Sequence, residues 1–290
     1  MKSTSAKILH ISDLHFGPPF VPRVAEALLQ EIPSLSPDAI VVSGDLTQRA
    51  KRHQFDEAKQ FFERMSDFPM LVIPGNHDVA LWRIFERLFR PHALYCEIIS
   101  PDLNPVLHVG NAVLVGLDST APRRSISNGR LDRHQLKHSG EVFAGVPDEK
   151  VRIVVAHHQF APGHDRIFDV SMPGAQRAID SFVEQKVEMI LGGHLHRSYI
   201  GSSLDFFPGH HRDRGVIIVQ CGTTTSSRGK GRERDENTFN LIETGAQTLT
   251  VTHYLYFEAV GRFAPVSKHS FPRPGRALEV AGYRPGRAPA

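Results

Sequence analysis

The stretch Met70-Leu71-Val72-Ile73-Pro74-Gly75-Asn76-His77-Asp78 carries an apolar β-type run straight into three side chains able to hold a cation or move a proton. Four other stretches repeat the arrangement. Lys7–Ile11 leads into Asp13-Leu14-His15, Ala39–Val42 into Gly44-Asp45, Arg152–Val155 into Ala156-His157-His158, and Val187–Leu191 into Gly193-His194-Leu195-His196. The chemistry therefore falls where strands end. In open α/β sheets the ligand crevice lies outside the carboxyl ends of the strands.

Helical patterns alternate with these strands. Val21–Ile32 reads as a helix with Pro22 in its first turn, closed before Pro33. Ala50–Met65 is a second, with Phe55, Ala58, Phe62 and Met65 spaced for one buried face. Val79–Phe89 is a third, stopped by Pro91, and Gln176–Gln185 a fourth. Val113–Leu117 is a further buried strand. After His196 the pattern turns to strands only, at Gly215–Cys221, Thr238–Glu243 and Thr248–Tyr256, as a second sheet packed on the first would require. The segment Gly261–Ala290 is rich in Pro, Gly and Arg and has little periodicity. It reads as a poorly ordered basic tail beyond a domain of residues 1–260.

A chain of 290 residues with 40% hydrophobic and 22% charged residues is an ordinary globular protein with enough length for a sizeable core. A net charge of +3 gives no argument for nucleic acid. Two cysteines, Cys96 and Cys221, make no disulfide framework and read as core thiols. No apolar run approaches the roughly 20 residues that cross a bilayer, so no membrane partner is expected. Without a signal-type apolar segment at the start, a cytoplasmic location is expected.

Residue by residue, the motifs suit divalent ions. Asp13 and His15 are two apart, so in an extended segment both point to one side. A carboxylate with an imidazole suits Mn, Fe or Zn; alone, the pair also reads as a capping Asp and a surface His. Asp45, after a glycine that permits a close turn, can give one oxygen to each of two ions. Asn76 can ligate through its amide oxygen without adding charge. His77 is then left to face the substrate as a candidate proton donor to the leaving oxygen. Asp78 either orients His77 or caps the helix Val79–Phe89. Of His157 and His158, ending one strand, a single ring can face the other ligands. His194 and His196 again have period two. The set divides between two sites that share Asp45.

With these motifs in this order, the chain resembles the calcineurin-like metallophosphoesterase superfamily from about Lys7 to Tyr256. The resemblance implies an α/β fold: a four-layer α/β/β/α sandwich of two packed mixed sheets, with a two-metal site at the strand C-terminal ends. It implies that Asp13, His15, Asp45 and His196 hold one ion, and that Asp45, Asn76, His157 and His194 hold the other. His77 is the implied catalytic histidine, and the first histidine of the His157-His158 pair the implied ligand. Two ions roughly 3.5–4 Å apart can clamp a phosphate and acidify a water between them. The expected reaction is in-line attack on phosphorus by that metal-bound hydroxide, with His77 protonating the departing alkoxide and no covalent phosphoenzyme.

Departures narrow the substrate. Leu46-Thr47-Gln48-Arg49 is not the Val-Asp-Arg-Gly of the protein Ser/Thr phosphatases, and Gln48 stands where purple acid phosphatases place a tyrosine. His77 replaces the arginine of the lipid A-pathway diphosphatases. What remains is similar to the bacterial cyclic-nucleotide phosphodiesterase group, which Gly129-Arg130-Leu131, Gln135-Leu136, Gly222-Thr223 and Asn237–Ile242 also resemble. A small phosphodiester, such as a cyclic nucleotide, is the expected substrate. Asn76, His77 and Arg228 are candidate contacts for it. Arg123, Arg124, Gly163-His164-Asp165-Arg166 and Lys230 read as solvated loop charges, with substrate contact the alternative. The helix around Leu81–Phe85 either walls the cleft or packs as an ordinary amphipathic helix. Two other readings compete: a DNA or RNA nuclease of the same superfamily, and a non-catalytic scaffold.

Overall fold

Unbroken apolar runs, whose side chains point in turn to the two faces, give both faces of a sheet something to bury, and here one face meets helices while the other meets a second sheet. The computed structural model describes residues 5–124, 128–162, 170–207 and 214–276. In the first sheet β1 (Ala6–Ile11), β2 (Ala39–Val42) and β3 (Met70–Val72) run parallel. The second sheet comprises β4 (Val106–Val109), β5 (Ala112–Gly116), β6 (Val151–Val155), β7 (Met189–Gly192), β8 (Tyr199–Ser202) and β9 (Ile217–Gln220). Its order is β4-β5-β6-β7-β9-β8, parallel at the centre with an antiparallel strand on each edge. The chain then returns to the first sheet through β10 (Thr238–Thr244), β11 (Thr248–Phe257) and β12 (Arg262–Pro272), which extend it antiparallel from β1.

Neighbouring residues on one strand serve different layers. Leu9, Ile11, Ile40 and Val42 pack with Val24 and Leu28 of α1 (Pro22–Leu35) and Phe55 and Phe62 of α2 (Arg52–Glu63). Ile8 and Val41, one position away, meet Ile153, Val155 and Leu191 between the sheets. On the far side Val154 and Ile190 pack with Phe143 of a helix at Arg133–Ala144 and Phe182 of another at Ala175–Glu184. The result is the expected α/β/β/α sandwich of two mixed sheets. Each fully buried Leu, Ile or Phe contributes about 1.5–3 kcal/mol. A one-residue slip would move that contribution to the wrong face, so the register is firmly set.

Four expectations are corrected. The strands after His196 do not form a second sheet of their own: β10 and β11 extend the first sheet from β1, and β9 joins β7 in the other. The first helix runs on through Pro33 to Leu35, because Leu35 is buried and Ser36 closes the helix in the left-handed region, φ 45°. The third helix is not continuous over Val79–Phe89. Asn76–Asp78 forms one 3-10 turn, Val79 is extended with its side chain buried, and only Ile84–Phe89 (α3) is helical, with no buried residue. The segment after residue 260 is not wholly a poorly ordered tail. β12 pairs along nearly the whole of β11, anchored by Phe263 against Tyr256 and Phe239. Just past it, Arg273 is buried and ion-paired with Glu188. Residues 277–290 lie outside those described, as does the Gly163-His164-Asp165-Arg166 stretch. Cys221 is buried and Cys96 partly so.

Candidate active site

The five strand-end motifs converge at one end of the two sheets, and the backbone there takes unusual conformations. Asp13, His15, Asp45, His194 and His196 all have positive φ, between 52° and 73°. Non-glycine residues seldom adopt this left-handed region, though Asp and His do so more than most. It costs of order 1–3 kcal/mol at each position and persists only where surrounding structure enforces it. Enforcement is visible. The N–H groups of Asp13 and His15 donate to the carbonyls of Gly44 and Asp45, so β1 and β2 stay laced together beyond their last ladder pairs. Glycine is needed beneath this cluster. At Gly44, φ 97°, a Cβ would lie 2.7 Å from His157 Nδ1, and at Gly193 it would collide with Ser12 and Asp13.

Two groups of ligand atoms result, each drawn within 4.8 Å: Asp13, His15, Asp45 and His196, then Asp45, His157 and His194. In the first, His15 Nε2 lies 3.1 Å from His196 Nε2, and His196 Nε2 lies 3.1 Å from Asp13 Oδ1. In the second, Asn76 Oδ1 lies 2.8 Å from His194 Nδ1 and 3.2 Å from His157 Nε2. Asp45 faces both, with Oδ2 3.7 Å from His15 Nε2 and Oδ1 3.4 Å from His157 Nε2.

Divalent cations fit this donor set. Asp13 and Asp45 are fully buried, yet Asp13 Oδ1 and Asp45 Oδ2 accept no hydrogen bond from the described residues. Their other oxygens take backbone N–H groups, Asp13 Oδ2 from His194 and Asp45 Oδ1 from His77. A buried bare carboxylate oxygen is costly unless something positive meets it. The imidazoles are turned the right way. Nδ1–H of His157 donates to Ser43 O at 2.7 Å and Nδ1–H of His196 to Arg228 O at 3.0 Å, which leaves both Nε2 atoms aimed inward.

Burial pushes both carboxyls up, but nearby histidines, led by His196 at Asp13 and His157 at Asp45, hold them well below the usual carboxylate range. Burial pulls His157 down, yet Asp45 more than reverses this and raises it to about 9. Burial, with His157 beside it, lowers His194 to about 3, and burial lowers His15 to about 4 despite both carboxylates. A cation bound here takes over the role of the His157 proton.

His77 stands at the rim. Its Nδ1–H donates to Gln48 O at 2.9 Å, and Nε2 accepts from Arg228 Nη1 at 3.1 Å. Burial lowers its pKa despite Asp45. Arg228 Nη1 also donates to Gln48 Oε1 at 2.9 Å, so it spans the loops after β2 and β9. Asp78 does neither of its two expected jobs. Its carboxylate accepts from the N–H groups of Leu46, Thr47 and Gly75 and from the Thr47 hydroxyl, tying the turn after β3 to the loop after β2. His158 turns away to Ser119, 2.8 Å from its hydroxyl. The cleft above these residues is a cavity of about 500 Å³, walled also by Asn128, Gln159, Ser171 and Lys230. Sequence reading missed Asn128, Gln159 and Ser171, which no motif marks. Arg123 and Arg124 line a separate cavity with Pro91 and His92.

A sandwich with a buried Asp/His/Asn cluster at its strand ends is that of a metal-dependent phosphoester hydrolase. The chain belongs to the calcineurin-like phosphoesterase family, whose model matches residues 6–198. It is 26% identical over 217 residues to a "probable cyclic nucleotide phosphodiesterase" of Synechococcus, covering 70% of this chain and 78% of that one. It is also 26% identical over 163 residues to a "probable glycerophosphodiester phosphodiesterase" of Arcobacter nitrofigilis, covering 56% of this chain and 57% of that protein. Among solved structures, a purple acid phosphatase from yellow lupin superposes with a TM-score of 0.74 at 12% identity. It covers the whole of this chain, which spans 58% of the lupin enzyme's length. A dimetal phosphatase from Danio rerio superposes at 0.64 with 10% identity, covering 94% of this chain and 100% of its own. These structural likenesses show the fold.

Proposed function

We propose that the protein is a binuclear-metal phosphodiesterase acting on a small phosphodiester. The observation that carries this reading is Asp45: its two oxygens face two separate ligand groups, and Oδ2 is buried without a donor among the described residues. Asp13, His15, Asp45 and His196 would hold one ion, and Asp45, Asn76, His157 and His194 the other. Two bound cations supply charge neutralisation for the phosphate and lower the pKa of water between them. The chain supplies the rest. Arg228, pinned by Gln48, presents a guanidinium to a phosphate oxygen. His77, oriented by the Nδ1–H bond to Gln48 O, would carry a proton on Nε2 to the leaving oxygen once Arg228 turns from that nitrogen to the phosphate. Gln159 lines the cleft, its side-chain Oε1 buried without a donor among the described residues.

The names of the relatives favour a cyclic nucleotide or a glycerophosphodiester over DNA. A panel on the Mn-, Fe- or Zn-loaded protein tests the reading: an aryl phosphodiester, an aryl phosphomonoester, cyclic nucleotides, glycerophosphodiesters and single-stranded DNA. Diester turnover well above monoester turnover is expected. Preference for DNA would favour the nuclease, and a protein refusing all three metals would favour a scaffold.

A further inference from the structure

Six residues past the candidate Asn76 ligand, the chain exposes an apolar surface that folding leaves uncovered. Trp82 is 79% exposed, Ile84 63%, Phe85 82% and Phe89 75%, all on α3 or its approach. Isolated exposed apolar residues are normal, but four large ones within eight positions form a patch with a purpose. The patch is also held rigidly. Arg83 Nη2 donates to Ala50 O at 2.7 Å, and Arg87 donates to the carbonyls of Pro122 and Arg124 at 2.6 and 2.7 Å. The backbone of α3 is thereby fixed to the loops after β2 and β5 while its apolar side chains face outward.

Charge around the patch identifies its occupant. Lys51, Arg52 and Arg90 border it along a cavity of about 960 Å³, and Arg123 and Arg124 flank the other side. The acids beside it, Glu86 and Glu97, are each bound to one arginine, Arg83 and Arg52. Those pairs cancel, so the net positive charge of the rim rests on Lys51, Arg90, Arg123 and Arg124. We infer that this face docks the protein peripherally on an anionic lipid bilayer, with Trp82, Ile84, Phe85 and Phe89 entering the headgroup–acyl boundary and the arginines meeting lipid phosphates. Aromatic and aliphatic side chains on one face with Lys and Arg beside them suit that interface. A second copy is a poorer fit, because a two-fold contact sets the same cationic rim against itself. Docking here would set the cleft close to the membrane surface, since the loop after β2 that accepts Arg83 also supplies Gln48 to His77. Among the described residues no helix is long and apolar enough to cross a membrane.

Trp82 is the only tryptophan in the chain, which makes it an intrinsic reporter. The metal-loaded protein is titrated with vesicles of phosphatidylglycerol and phosphatidylcholine, and with phosphatidylcholine alone. A blue shift of Trp82 emission, quenching by brominated acyl chains, and co-sedimentation with the anionic vesicles only are expected, all weakening with salt. The double variant Phe85→Ser/Phe89→Ser should lose roughly tenfold or more in partitioning, since two phenyl rings leave the interface. Its metal content and its turnover of a soluble aryl diester should stay at the parent level. Unchanged Trp82 emission with anionic vesicles would overturn the inference. So would a concentration-dependent dimer that buries Trp82 without lipid.

Discussion

Asp45 and His77 sit 32 positions apart and share one hydrogen bond, His77 N–H to Asp45 Oδ1 at 2.8 Å, yet their proposed jobs separate cleanly. His77→Ala should leave metal content unchanged and lower kcat by about 10²–10⁴, the range for removal of a general acid. Asp45→Ala should lose bound metal together with turnover. Elemental analysis alongside kcat on protein checked for fold by circular dichroism decides; full metal in Asp45→Ala removes the bridging role. The pH dependence of metal uptake follows from His157, raised to about 9 by Asp45 over the effect of burial. The cation needs the deprotonated ring, so below that pH binding must expel a proton. Apparent affinity should then rise about tenfold per unit between pH 6 and 8, measured by competition with a chelator. Affinity flat across that range would show that no proton is displaced. The ligand types were legible in the motifs. The left-handed backbone that aims five of them was not, because it is imposed by cross-loop bonds such as His15 N–H to Asp45 O at 3.0 Å.

Strands were the easier elements to read, because a buried parallel strand needs an unbroken apolar run and β2, Ala-Ile-Val-Val, is one. Val79–Phe89 misled for a physical reason. Its apolar residues have helical spacing, but Val79 and Ala80 are drawn inward by the turn that positions Asn76, and Trp82, Ile84, Phe85 and Phe89 are left facing solvent. β12 misled in the opposite sense. Pro265 and the basic composition hide a strand whose pairing partner, β11, supplies the order. Phe263 carries much of that attachment, buried against Phe239 and Tyr256 at ring separations of 4.9 and 5.4 Å. Phe263→Ala should cost about 3–5 kcal/mol in urea denaturation, with turnover per folded molecule retained. A cost under about 1 kcal/mol would mean β12 is only loosely attached.

Across the molecule, one buried pair ties the end of the first sheet to the second. Arg273 Nε and Nη2 meet both oxygens of Glu188 at 2.6 and 2.5 Å, and the remaining donors reach the carbonyls of Glu149, Lys150 and Ala246. Arg273→Ala should destabilise by about 3–5 kcal/mol because it strands the Glu188 charge. Arg273→Met/Glu188→Leu should recover most of this in thermal or chemical unfolding; no recovery would assign the loss to the carbonyl contacts instead. By itself, the sequence determined the α/β class and the identities of the candidate ligands, since apolar periodicity and residue chemistry are local, whereas the four-layer arrangement was implied by the family resemblance and is what the two sheets show. Only the tertiary structure decided that Asp45 faces two ligand groups, that Asp78 braces a loop, that His158 turns to Ser119, and that α3 stands bare. Those outcomes depend on which loops approach one another, and that is settled by packing between residues tens to hundreds of positions apart.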